Sequence, residues 1–445
     1  MIQIHLVSGE NVDQYLKEDW QSNQAKRIDF SGKPNDILVL INPDGEIDSV
    51  LYGYEDAPHL RWNVAALCKK LPPGVYQFDA EALSPESVFQ IHLAWHLEQY
   101  KFDRYLTQVK TKVLLENHPS VDQERLNAMV KSVTWARDLI NTPAEDMGPE
   151  ELAQQFIDLA QTFNVDVETV VGDALLDEGY PLVHAVGRAS QRAPRVIRMS
   201  WGESDHPKLT LIGKGVCFDT GGLNLKPGVG MRRMKKDMAG AAHVIALANL
   251  VMTLDLPIQL ELFVPIVDNN IGSKSYRPGD IFIARNGKSV EIDNTDAEGR
   301  LILADVLVAA CESGSDLIID FATLTGNRAL GIVGSCFSRN VTMTRNIQDV
   351  GHGVHDPVWS MPLVEEYCDL YKGPISDLVN VVHTPVDCGT AVAAAFLDHF
   401  VDRQTDWIHC DILGQNNFAL PGKPKGGDVF GIRAIFEFLE QHWNK

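Results

Sequence analysis

The sequence contains no uninterrupted apolar stretch long enough to span a bilayer, no C-x-x-C pair among its 7 cysteines, and few basic residues, 39 Lys and Arg against 60 Asp and Glu. Each shortage excludes something. The first argues against a membrane partner. Cysteines scattered at positions 68, 217, 311, 336, 368, 388 and 410 predict reduced thiols and a cytoplasmic address, which leaves the sequon Asn340-Val341-Thr342 unused. A formal net charge of -21 opposes the concentrated positive charge that duplex binding needs, so nucleic acid is not an expected partner. The first ten residues have neither a basic start nor an apolar core, so no signal peptide is expected.

Two familiar catalytic patterns are also missing. A helix that Ser84 and Pro85 should start carries His92 and His96 at i, i+4. Leu93 follows His92, so the glutamate of H-E-x-x-H is absent and the pair reads as ordinary packing. Gly213-Lys214-Gly215 lacks the Ser or Thr that completes a phosphate loop.

What is present is the pattern of a soluble chain of 445 residues, 45% hydrophobic and 22% charged, long enough for two or three domains. Strands are expected at 36–41 and 74–79, and a connecting helix over 121–142 that Pro143 stops. Beyond it, strands at 195–200, 209–212, 260–267 (interrupted by Pro265), 317–321 and 407–412 alternate with helices, including 301–310, apolar nearly all round and hence buried. The alternation predicts an α/β class. A smaller N-terminal α/β domain (1–120) should precede a larger domain (143–445) with a mostly parallel central sheet flanked by helices. Sites in such sheets gather at the carboxyl ends of strands, where Lys214, Asp219 and Thr323 fall.

Two runs concentrate charge beside this apolar framework. One is Asn294-Thr295-Asp296-Ala297-Glu298-Gly299-Arg300-Leu301. The other is Gly213-Lys214-Gly215-Val216-Cys217-Phe218-Asp219-Thr220-Gly221-Gly222, followed by Lys226 and Asp237. Carboxylates this dense at the rim of a core need cations among them. Asp219, Asp237, Asp296 and Glu298 suffice to bridge two divalent ions, and Lys214 could join them as a neutral amine. Surface salt bridging explains any one of these residues, but not all of them together.

The runs at 213–222, 226–227, 237–242 and 294–301, with Arg277-Pro278-Gly279-Asp280 and Ala322-Thr323-Leu324-Thr325-Gly326, closely resemble the cytosolic leucyl aminopeptidases, the M17 metallopeptidases. The resemblance covers roughly 130–445, and 1–120 carries no motif that matches. It implies that Asp219 and Glu298 bridge two metals, that Lys214 and Asp237 complete the tighter site, and that Asp296 completes the exchangeable one. Zinc is the first expectation, with manganese, magnesium or cobalt as alternatives, because an oxygen-rich site with one amine does not fix the metal. By the same resemblance a bridging water is the nucleophile, Lys226 stays protonated to stabilise the developing oxyanion, and Arg300 holds a bicarbonate as general base. The implied partners are peptides with a free N-terminal amine and further copies of the chain in a homohexamer. Met234, Thr323, Leu324, Gly326, Leu413 and Asn416 would bind the N-terminal side chain.

The chain also departs from the family's pattern. Leu413 and Asn416 stand where the family more often has a small residue and a methionine, which should shrink the pocket and make it more polar. Asn327-Arg328 stands where a small residue is usual. Two other classes compete: a non-catalytic scaffold or DNA-binding relative, and another di-metal hydrolase such as a phosphatase.

Overall fold

The computed structural model describes residues 1–445 except 81–82, 108–112, 327–332, 384–385, 387 and 444–445, so Asn327 and Arg328 lie outside the described residues. The chain divides into two compact units, Met1–Thr134 with Phe418–Lys425, and Trp135–Asn417 with Gly426–Lys445.

In the first unit a five-stranded sheet comprises β1 (Ile2–Val7), β2 (Ile37–Ile41), β3 (Ile47–Gly53), β4 (Gly74–Asp79) and β5 (Val113–Leu115), in the order β2-β3-β1-β4-β5. Helix α1 (Pro85–Glu98) begins where the sequence predicts, with the Ser84 Oγ accepting the Ser87 N–H at 3.1 Å. The helix buries Ile91 and Trp95 against Tyr76 and Phe78, the Trp95 and Phe78 rings meeting edge-on at 5.7 Å. His92 is buried on this helix, and burial pushes its imidazole down to about 4, as befits a neutral packing residue.

Helix α2 (Gln123–Asn141) leads into the second unit. Among the described residues, nine strands form its main sheet: β6 (Val167–Val171), β7 (Arg195–Trp201), β8 (Lys208–Gly213), β9 (Gly215–Asp219), β10 (Gln259–Asn269), β11 (Leu317–Ala322), β12 (Gly334–Ser338), β13 (Val358–Pro362) and β14 (Asp406–Asp411). Their order is β13-β12-β14-β11-β8-β10-β7-β6, with β9 paired to β10. The pairs at the centre, β14 with β11, β11 with β8, and β8 and β9 with β10, are parallel. Every residue of β11 is buried, as is typical of a strand with both faces covered. Helix α3 (Ala239–Thr253) packs on β8 and β11, while α4 (Gly299–Glu312) packs on β8 and β10.

The predicted break at Pro265 does not occur, and β10 runs unbroken from Gln259 to Asn269. Its pairing with β8 ends at Phe263 and that with β9 begins at Ile266. Pro265 lies between the two ladders, where a residue without an N–H costs least. The same gap is where Lys214 separates β8 from β9.

Candidate active site

The site forms at the carboxyl ends of the parallel strands. Lys214 follows β8, its N–H still bonded to the Phe321 carbonyl of β11 at 3.0 Å, so the ladder itself places it at the carboxyl end of a central strand. Asp219 ends β9, and Thr323 follows β11. Asp237 lies in the short 3-10 turn Met234–Met238 that leads into α3. Glu298 is the N-cap residue of α4, with Asp296 just before it. All five candidate ligands, Lys214, Asp219, Asp237, Asp296 and Glu298, therefore line one cavity of about 780 Å³.

Two lysines interleave with the acids. Lys214 Nζ lies 2.8 Å from Asp237 Oδ2, 2.9 Å from Glu298 Oε1 and 3.1 Å from the Thr323 carbonyl. Lys226 Nζ lies 2.8 Å from Asp219 Oδ2 and 2.6 Å from Asp296 Oδ1. Burial pushes Glu298 well above the usual carboxylate range, reinforced by the charge of Asp219. Burial also raises Asp219, together with the charge of Asp237. For Asp237 burial acts in the same sense, but Lys214 and Lys236 outweigh it and hold the carboxyl below its ordinary value. Burial favours the neutral amines of Lys214 and Lys226, yet the surrounding carboxylates hold both above the ordinary lysine value.

The residues fit a pair of divalent cations. Ligand oxygens of Asp219, Asp296 and Glu298 lie within 4.8 Å of one another. Asp237 Oδ2 and Asp296 Oδ1 are buried oxygens that accept no hydrogen bond of good geometry, although an ammonium approaches each. Buried acceptors aimed into a common cavity suit hard cations, which take oxygen ligands without directional donors.

The acids are held from behind. Asp219 Oδ1 accepts the Gly221 N–H and Asn269 Nδ2, each at 2.8 Å. Asn269 also donates to the Thr295 carbonyl at 3.0 Å, and the Tyr276 hydroxyl donates to the same oxygen at 2.7 Å. One amide thus ties the two acid-bearing segments together. Gly221 has φ +88°, and a Cβ there would stand 2.8 Å from Asp296 Oδ1, so both conformation and space require glycine. Thr323 Oγ1 donates to Asp237 Oδ1 at 2.7 Å. Asp411, at the end of β14, accepts the Leu324 and Thr325 N–H groups at 3.1 and 3.3 Å and so fixes the loop after β11. Of these supports, Asn269, Tyr276 and Asp411 escape sequence reading. Their only signal is a polar residue at the end of an apolar strand, or an isolated aromatic in a loop.

Arg300 lines the cavity from the first turn of α4. Its Nη1 donates to the Tyr371 hydroxyl at 3.0 Å and to the Asn380 carbonyl at 2.9 Å. Met234, Thr323, Leu324, Gly326 and Leu413 share this cavity, but Asn416 does not. Gln415–Asn416 is a two-residue strand paired with Gly426–Gly427, and side chains alternate along it. Gln415 and Asn417 therefore face the cavity, while Asn416 turns into the protein and donates to Asp428 Oδ2 at 2.6 Å. The added polarity comes from its two neighbours instead.

A mostly parallel sheet whose strand ends bring buried acids and a lysine to one cavity defines a class, the metal-dependent hydrolases. A family model described as "Cytosol aminopeptidase family, catalytic domain" matches residues 134–436. A second, "M17 aminopeptidase, N-terminal domain", matches residues 2–116, where no motif was legible. The chain belongs to the cytosol aminopeptidase family, and it is accordingly a metal-dependent aminopeptidase. It is 37% identical over 367 residues to a probable cytosol aminopeptidase of Syntrophotalea carbinolica, covering 78% of this chain and 73% of that one. It is 36% identical over 334 residues to peptidase B of Photorhabdus laumondii, covering 72% and 77%. The crystal structure of the cytosol aminopeptidase from Coxiella burnetii superposes with a TM-score of 0.95 at 38% identity, covering 100% of this chain and 97% of that one. The bottromycin maturation enzyme BotP, in a complex with Mn, gives a TM-score of 0.88 at 27% identity, covering 99% of each chain.

No helix among the described residues is long and apolar enough to cross a membrane. All 7 cysteines are free thiols.

Proposed function

We propose that this aminopeptidase removes the N-terminal residue of peptides at a di-metal centre held by Lys214, Asp219, Asp237, Asp296 and Glu298. The observation that carries the reading is the convergence of these five side chains, drawn from distant segments, on one cavity. Zinc is the first assignment for both ions; manganese is the strongest alternative, since the related BotP is described with it. Bound there, two divalent ions would acidify a water and polarise the scissile carbonyl, and a bicarbonate would take up the water's proton.

The chain's own residues then divide the work. Asp237, ionised as one of the metal-holding carboxylates, accepts a hydrogen bond from the substrate's free α-amine, a group that an internal peptide bond cannot offer. That requirement makes the enzyme an exopeptidase. Lys226, kept protonated by Asp219 and Glu298, neutralises charge that develops on the carbonyl oxygen. Arg300 has one guanidinium nitrogen committed to Tyr371 and Asn380, and the rest of its planar fork suits the bicarbonate. Lys214 would bind as the neutral amine, giving up its proton when cations replace its ammonium among the acids. Met234, Thr323, Leu324, Gly326 and Leu413 receive the N-terminal side chain. By family analogy the assembly is a homohexamer and its address cytoplasmic.

The test sets aminoacyl anilides against p-nitrophenyl phosphate, with and without chelator. Anilide hydrolysis abolished by chelator and restored by zinc or manganese is the expected result. Cleavage of the phosphate ester with the anilides left intact would overturn the reading.

A further inference from the structure

The loop after β11 is tied to the site through Thr323, whose hydroxyl donates to Asp237 and whose carbonyl lies 3.1 Å from Lys214 Nζ. One side chain grips the loop itself. Asp411 takes the Leu324 and Thr325 N–H groups on Oδ1 and the Thr325 hydroxyl on Oδ2, the last at 2.5 Å. Hydrogen bonds to an ionised acceptor are about twice as strong as neutral ones, so the grip depends on Asp411 keeping its charge. Yet Asp411 is completely buried, and burial lifts it above the ordinary carboxylate value.

The largest pull in the other direction comes from His409, two residues back along β14. Parallel pairing sets His409 opposite Asp320 and Asp411 opposite Ala322, and side-chain alternation puts Asp320, His409 and Asp411 on one face. His409 Nδ1 lies 2.7 Å from Asp320 Oδ1, and Trp407 Nε1 donates to Asp320 Oδ2 at 2.7 Å. The Phe337 and Trp407 rings stack on the imidazole with centroids at 5.9 and 6.1 Å. His409 and Asp320 are both fully buried, and His409 Nε2 has no hydrogen-bond partner among the described residues. In the neutral ring Nε2 would be an acceptor without a donor, and in the charged ring a donor without an acceptor, so hydrogen bonding does not select the protonation state.

The surrounding charges do. Burial disfavours the imidazolium, but Asp320 and then Asp411 outweigh it, with Arg300 of α4 acting against them, and the ring stands above its ordinary value. On the helix Gly389–Asp398, whose Ala391 and Ala394 pack with Phe337, Asp398 is engaged by Arg339 and Arg403.

We propose that His409 is a positioning residue: as a cation paired with Asp320 it braces the carboxylate of Asp411 and, through it, the loop that anchors Thr323 at the site. The brace acts on the loop whichever ions the site takes, and only its effect on turnover rests on the aminopeptidase reading.

Two readouts of the metal-loaded protein are followed from pH 5 to 9. One is hydrogen exchange of the peptide that carries Leu324 and Thr325, corrected for the intrinsic pH dependence of exchange. The other is kcat on leucyl anilide. Loss of the cation in His409→Gln raises Asp411, so the acid limbs of protection and of kcat should both move up by ~1 pH unit or more. Asp320→Asn, which removes the anion that keeps the ring charged, should move them the same way. With Asp411→Asn already in place, His409→Gln should move neither limb. A purely structural role would lower protection and rate by a constant factor at every pH. That outcome overturns the proposal, as does a shift that persists in the Asp411→Asn background. Should the variants fail to fold, neutron diffraction from wild-type crystals at pH 7 decides: deuterons on both His409 nitrogens support the brace, and a single one overturns it. A protein whose exchange shifts as expected but that leaves the anilide intact would count against the aminopeptidase reading and not against the brace.

Discussion

The carboxylate of Asp305 accepts the backbone N–H of Leu182 at 2.7 Å, joining positions 123 residues apart. The same oxygen faces the Val183 N–H at 3.4 Å, and Oδ1 accepts that of Arg285 at 3.0 Å. One side chain inside α4 thereby holds the start of the helix Pro181–Gly187 and the turn at Arg285, a buried arrangement along α4 from the end that meets the cavity. Burial pushes this carboxyl up to about 7 from 3.8, against the pull of its three N–H donors. Because the folded value lies above the unfolded one, its contribution is fully present below about pH 4 and is lost as pH rises through about 7. The stability difference between wild type and Asp305→Asn should therefore shrink over that window, by roughly 4 kcal/mol at most, and level off above it. Urea midpoints of both proteins from pH 4 to 8 check this, and a difference that does not vary with pH would refute it.

Glu298→Ala should cut anilide turnover by more than ~100-fold and lower bound metal in the same preparation. The reason is geometric: Glu298 shares the 4.8 Å oxygen cluster with Asp219 and Asp296. Elemental analysis beside the rate assay reads both effects. An active variant would remove Glu298 from the metal centre.

Arg300→Ala should slow turnover by ~10²-fold or more while both metals stay bound, with partial recovery on adding bicarbonate. Arg300 contacts Tyr371 and Asn380 and none of the acids, which is why metal content should survive. Loss of metal in this variant would make the arginine a structural residue.

Asn269→Ala should weaken metal binding by ~10- to 100-fold, although Asn269 is not a ligand itself. Its amide is shared between Asp219 Oδ1 and the Thr295 carbonyl, so its loss frees two acid-bearing segments at once. Chelator titration followed by residual activity measures the shift. An unchanged titration would show that Gly221 and the strand ladder fix Asp219 unaided.

Much of the protein was legible before any coordinates. Residues 294–301 and 213–222 mark the candidate site, because acids, lysines and glycines at such density have few other uses. The apolar periodicity of β8, β11 and α4 announces a parallel α/β core. Periodicity failed where side chains broke its rules. The polar Gln3 and His5 hide β1, the middle strand of the first sheet, and Pro265 suggests a break in β10 that the change of partner makes harmless.

The choice of candidate ligands was thus local information, since a carboxylate or an amine carries its chemistry wherever the chain puts it. Which neighbours face the cavity was not local. The register of a two-residue strand turned Asn416 inward and Gln415 outward, and a shared amide at Asn269 joined segments that no spacing connects. Facing and register are properties of the surroundings, which a residue's own chemistry does not encode.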